Sequence, residues 1–140
     1  MIITKTKVAL ATAATTFAVG APLAMAASTT TLHTSLTGKA ESPKGDPDGS
    51  GKATIKITGK KVCYTFSYSK IGAPNAAHIH KGAKGKAGPV VVGLFAGKAK
   101  KSGCVTTTSA IAKAIAKHPS SYYVNLHNTK YANGALRGQL

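Results

Sequence analysis

The sequence predicts an all-β fold, an antiparallel β-sandwich or Greek-key-like barrel with one short helix and one disulfide. Three observations carry this. Apolar and polar side chains alternate with period two in run after run beyond residue 30. Glycine- and proline-rich turns separate these runs at short intervals. The only two cysteines, Cys63 and Cys104, stand in two different strand-like runs.

The elements follow in order. Leu32, Thr34 and Leu36 share one face of a first strand, and Gly38 ends it. Residues 38–51 contain Pro43, Gly45, Pro47 and Gly49, which is loop chemistry. Ala53, Ile55 and Ile57 alternate with Thr54, Lys56 and Thr58; after the Gly59-Lys60 turn, Val62, Tyr64, Phe66 and Tyr68 alternate in the same way. Two such runs across so short a turn read as a hairpin. A strand over Ala76–His80, a basic loop over Lys81–Gly88 and an apolar run over Val90–Phe95 come next. That continuous run predicts a strand covered on both faces. A second basic turn precedes the Cys104–Thr107 strand. The one helix falls at about 108–118, capped by Thr108 or Ser109, with Ile111 and Ile115 inward and His118-Pro119 as its stop. Tyr122, Val124 and Leu126 then alternate with Tyr123, Asn125 and His127, and Ala135–Leu140 closes the chain after an Asn133-Gly134 turn.

The N-terminus reads as a leader. Lys5 and Lys7 precede an apolar stretch from Val8 to Leu23, and Ala24-Met25-Ala26 is a small-x-small cleavage pattern. The expected organisation is a signal peptide over 1–26 and one domain over 27–140, secreted or held in the cell envelope or periplasm. No later stretch is apolar and long enough for a membrane-spanning helix. Outside the cytosol, Cys63 and Cys104 are expected to oxidise to one disulfide rather than remain buried thiols.

Charge narrows the function classes. The chain has 19 Lys+Arg against 3 Asp+Glu, a formal net charge of +16. Such a field attracts anionic polymers or an envelope surface. Lys81, Lys84 and Lys86, among the glycines of one loop, are the candidate anion contacts. The only acids, Glu41, Asp46 and Asp48, lie in one turn-rich loop, which argues against a carboxylate calcium cage and against a two-carboxylate glycosidase. Specific nucleic-acid binding lacks its stacking platforms: there is no Trp, and Tyr131 is the ring expected at the surface.

His78 and His80 are two apart on a strand and so share a face. A closed sheet can bring His127 alongside, and three neutral imidazoles suit copper or zinc. His33 and His118 are expected to be solvated.

Taken together, several motifs resemble the CHRD domain, first described in chordin and common in exported bacterial proteins. They are Leu36-Thr37-Gly38, Cys63-Tyr64-Thr65-Phe66, Ala77-His78-Ile79-His80-Lys81-Gly82, Gly88-Pro89-Val90-Val91-Val92, Gly103-Cys104-Val105, Tyr122-Tyr123-Val124-Asn125-Leu126-His127 and Gly134-Ala135-Leu136-Arg137-Gly138-Gln139-Leu140. The opening loop departs from the family, with Glu41-Ser42-Pro43-Lys44 in place of a more apolar, proline-rich run. The resemblance implies a fold and an extracellular location more than an activity. His78, His80, His127 and Gly134-Ala135-Leu136-Arg137 are also similar, in order, to the copper ligands and anion-guiding arginine of copper-zinc superoxide dismutases. The 81–88 loop, however, holds no His or Asp for a zinc site. That similarity implies a three-histidine copper site and, in a dismutase-like enzyme, Arg137 as a catalytic residue. The first expectation is a non-enzymatic, monomeric module presenting basic loops to an anionic partner; the alternative is a copper-binding exported protein.

Overall fold

The computed structural model describes residues 19–140. The expected leader falls largely on residues 1–18, outside the described residues; 19–26 are exposed and belong to no helix or strand.

Eight antiparallel strands form one sheet: β1 Thr29–Thr37, β2 Ser50–Thr58, β3 Lys61–Ser69, β4 Ala76–Lys81, β5 Val90–Ala96, β6 Ser102–Thr106, β7 Tyr122–His127 and β8 Leu136–Gln139. Their order is β5-β4-β7-β8-β1-β2-β3-β6. The two end strands, β5 and β6, approach each other, so the sheet curls into a nearly closed barrel.

Period-two patterning sets what lies inside. Leu36, Ile55, Val62, Ile79, Val124, Leu126 and Leu136 are fully buried in one core cluster. The predicted hairpin is β2–β3, with Ala53 opposite Phe66 and Ile55 opposite Tyr64, and Gly59 turns it at φ 59°, where a side chain would strain the backbone. Cys63 and Cys104 are directly paired across β3 and β6 and form the expected disulfide. Cys63 alternates with buried Val62 and Tyr64, so the bond lies on the outer face of the barrel.

The helix α1 spans Ser109–Lys117. Thr108 Oγ accepts from the Ile111 amide at 3.2 Å, the N-cap contact expected of that residue. Ala112 and Ile115 are its buried positions, with Ile111 half-buried beside them.

One expectation needs correction. The Val90–Phe95 run is not a strand covered on both faces but the edge strand β5. Val92, Leu94 and Phe95 are buried, whereas Val90 is 50% exposed and Gly93 also faces solvent. A continuous apolar run looks alike in a buried strand and in an edge strand with a disturbed register. Here the β4–β5 ladder shifts register between Ala77 and His78 and again between Ile79 and His80.

Candidate metal centre

The same alternation that buries Ala77 and Ile79 of β4 turns His78 and His80 to the outer face. On β7, Val124 and Leu126 face the core, which turns Tyr123, Asn125 and His127 outward. Register does the rest. His78 pairs with Asn125, His80 with Tyr123 and Ala76 with His127, while across β8 Asn125 pairs with Arg137 and Tyr123 with Gln139. One outer patch therefore carries all three expected histidines, covered by the loops at 38–49, 82–88 and 128–135.

Ligand nitrogens of His78, His80 and His127 lie within 4.8 Å of one another. His80 Nδ1–H donates to the Gly88 carbonyl at 2.8 Å, and His127 Nδ1–H donates to the Ala132 carbonyl at 2.9 Å. A carbonyl only accepts, so each contact places the proton on Nδ1 and leaves Nε2 as a bare imine in the neutral ring. Metal-binding histidines are oriented in this way by their other nitrogen. His78 Nδ1 completes the group: as Nδ1–H it donates to the bare His127 Nε2 at 3.1 Å, and it becomes a ligand when its proton moves to Nε2.

Electrostatics favour the neutral form of His78 and His127. Burial, reinforced by neighbouring His127 and His80, pushes the His78 pKa down to about 4. Burial also lowers that of His127; the Ala132 carbonyl opposes it and His80 adds to it. His33 and His118 are exposed, as expected, and take no part.

Around the histidines, Tyr123 and Arg137 form a rigid stack. The Tyr123 ring lies parallel to His80, 4.7 Å between centroids and 7° between planes, and carries the Arg137 guanidinium 3.4 Å from its centroid. Arg137 is 2% exposed. It donates to the Lys86 and Ala83 carbonyls, both at 2.9 Å, and to Gln139 Oε1 at 3.3 Å. The arginine thus ties the 82–88 loop to β8, and its donors are turned toward that loop.

Lys81, Lys84 and Lys86 are all exposed on that loop. Of the three, Lys84 lines a cleft of about 660 Å³ together with Lys39, Lys44, Glu41 and Arg137.

Two polar residues are more central than the alternation alone suggests. Asn125, 2% exposed, has Oδ1 at 3.1 Å from His80 Nε2 and 3.0 Å from His127 Nε2. Glu41 is 6% exposed and accepts from Asn125 Nδ2 at 3.5 Å. Burial pushes its pKa up to about 7, against the lowering pull of Asn125 and of Arg137. The Asn125 position was legible as a neighbour of the histidines on their face. Glu41 reads as a solvated loop acid, and only its departure from the family's apolar opening loop sets it apart.

Fold and site together define a small, disulfide-linked antiparallel barrel that carries a polar three-histidine cluster on its outer face. The chain belongs to the CHRD domain family, whose model matches residues 32–140. Neither a curated protein nor a solved structure matches it.

Proposed function

We propose that this CHRD domain is an exported copper-binding module whose ligands are His78, His80 and His127. The observation that carries it is the pair of imidazoles whose Nδ1–H groups are engaged by Gly88 and Ala132 carbonyls, leaving both Nε2 lone pairs turned toward the cluster they share with His78. Neutral nitrogen donors favour copper over the other divalent first-row metals, and no carboxylate belongs to the cluster to favour a harder ion. No step of chemistry is required of the domain; binding and sequestration suffice. Export is supported by the leader-like N-terminus and by the disulfide on the outer face.

Calorimetric titration of the purified mature chain with copper and, separately, with zinc tests this. One copper per chain is expected, bound more tightly than zinc. Uptake should be lost in His80→Ala and His127→Ala variants that keep the wild-type circular dichroism. No uptake by the wild type at micromolar copper near neutral pH would end the proposal. Release of a product beginning at Ala27, read by mass spectrometry of the culture fluid or envelope fraction, tests export.

A second reading has its own observation. Exposed Lys39, Lys44 and Lys84 rim the cleft above Arg137, which supports contact with an anionic polymer or surface. Retention on a polyanion column should fall steeply with salt. It should weaken when the three lysines become alanine and survive His78→Ala.

A further inference from the structure

Asn125 Oδ1 stands against two nitrogens that both carry lone pairs. In the neutral rings, which are the forms that bind a metal, the Gly88 and Ala132 carbonyls hold the His80 and His127 protons on Nδ1, so an oxygen 3.1 and 3.0 Å from the two Nε2 atoms meets acceptors rather than donors. Three acceptors at that spacing repel one another as bare groups and attract one another around a cation. Three neighbouring separations also suit a coordination shell, and the widest imidazole pair, within 4.8 Å, has to draw in to about 4.0 Å or less around an ion. Metal–ligand bonds of about 2.0 Å set neighbouring donors about 2.8 Å apart in a square plane and about 3.3 Å apart in a tetrahedron. The separations along His78 Nδ1, His127 Nε2, Asn125 Oδ1 and His80 Nε2 are 3.1, 3.0 and 3.1 Å.

Resting on the copper-binding proposal above, we infer that Asn125 is the fourth ligand, supplying Oδ1 to a three-nitrogen, one-oxygen copper site, and that Glu41 is its positioning residue. Glu41 Oε2 accepts from Asn125 Nδ2, which keeps the oxygen turned inward. Gly134 makes room for this carboxylate: a Cβ there would run into Glu41 Oε2, and its φ of 133° disfavours any side chain. The amide turned the other way would offer both Nε2 atoms a donor, and Asn125 would then be only a hydrogen-bonding spacer.

Copper titration combined with water-proton relaxation of the copper(II) form separates these roles. With Oδ1 bound, the wild type holds no exchangeable water in the fourth position and its relaxivity is low. Asn125→Ala is expected to bind copper about 10–100-fold more weakly, on the scale of lost support at metal sites, and to gain relaxivity as water takes the position. Asn125→Asp, which keeps an oxygen there, should restore the low relaxivity. Glu41→Ala should raise relaxivity while leaving the three imidazoles in place. A wild-type copper form that already shows a rapidly exchanging bound water overturns the inference, whether or not the alanine variant folds; so does an Asn125→Ala variant matching the wild type in affinity and relaxivity. Failure of the wild type to take up copper at all sinks the copper-binding proposal itself, and this inference with it.

Discussion

Glu41→Gln should make the protein more stable at neutral and alkaline pH and leave it nearly unchanged in acid. The glutamate carboxyl is 6% exposed, and burial lifts its pKa from 4.5 to about 7. Between those values the folded chain holds a proton that the unfolded chain has released. The contribution of this carboxyl to stability therefore falls as pH rises through the window, and its loss is nearly complete above pH 7. At about 1.4 kcal/mol per pKa unit, the difference amounts to roughly 3 kcal/mol. That is a large share of the 5–15 kcal/mol by which domains of this size are held together. Glutamine keeps the shape and carries no charge to desolvate, so the variant lacks this pH slope. It does lose the attraction to Arg137, which is already included in the value of about 7. Urea unfolding of both proteins in chelator, at steps from about pH 4 to pH 9, reads the effect directly. The gap should be near zero at the acid end, open through the window and level off above it. A gap of constant size across the series would show that the carboxyl does not titrate between the two states as its burial requires.

Three further outcomes are expected. Replacing Cys63 and Cys104 together by serine opens a loop of sequence separation 41 and should lower stability by about 4 kcal/mol, read from the urea midpoint of oxidised protein against the variant. Gly88→Ala would drive a Cβ into the Lys81 carbonyl and take the Gly88 carbonyl off His80 Nδ1; copper affinity should drop about 10–100-fold in a calorimetric titration. Because the His78 pKa is held down to about 4 and that of His127 is lowered, protons should compete with copper at these two rings only below the ordinary imidazole range. Copper retention followed by absorbance during acid titration checks this: release beginning near the ordinary imidazole value of about 6.5 would contradict it. With fewer protons on these two folded rings than on the unfolded ones, His78 and His127 contribute stability that is lost as pH falls below about 6.5, a contribution opposite in sign to that of Glu41 in the metal-free chain.

Much of the architecture was legible because strand periodicity is a local property. The alternation that puts Ile79, Val124 and Leu126 in the core also puts His78, His80, Asn125 and His127 on the opposite face, whatever the strand order. Capping at Thr108 and the turn at Gly59 are likewise written into neighbouring residues. The edge position of β5 was not legible, since an apolar run carries no mark of how many neighbours its strand has.

By itself, then, the sequence determined the strands, their two faces, the cystine pair and the CHRD family. Only the tertiary structure decided that β4 and β7 lie side by side in the register that joins the imidazoles. It alone also folds the 38–49 loop across them, through Asp46 N–H to the Ala135 carbonyl at 2.9 Å, and so buries Glu41 behind Asn125. The physical reason is range. Side-chain direction follows from backbone geometry one residue at a time, whereas burial, proton placement and ligand spacing depend on groups brought together from distant parts of the chain. Asn125 and Glu41, 84 residues apart, are the clearest instance.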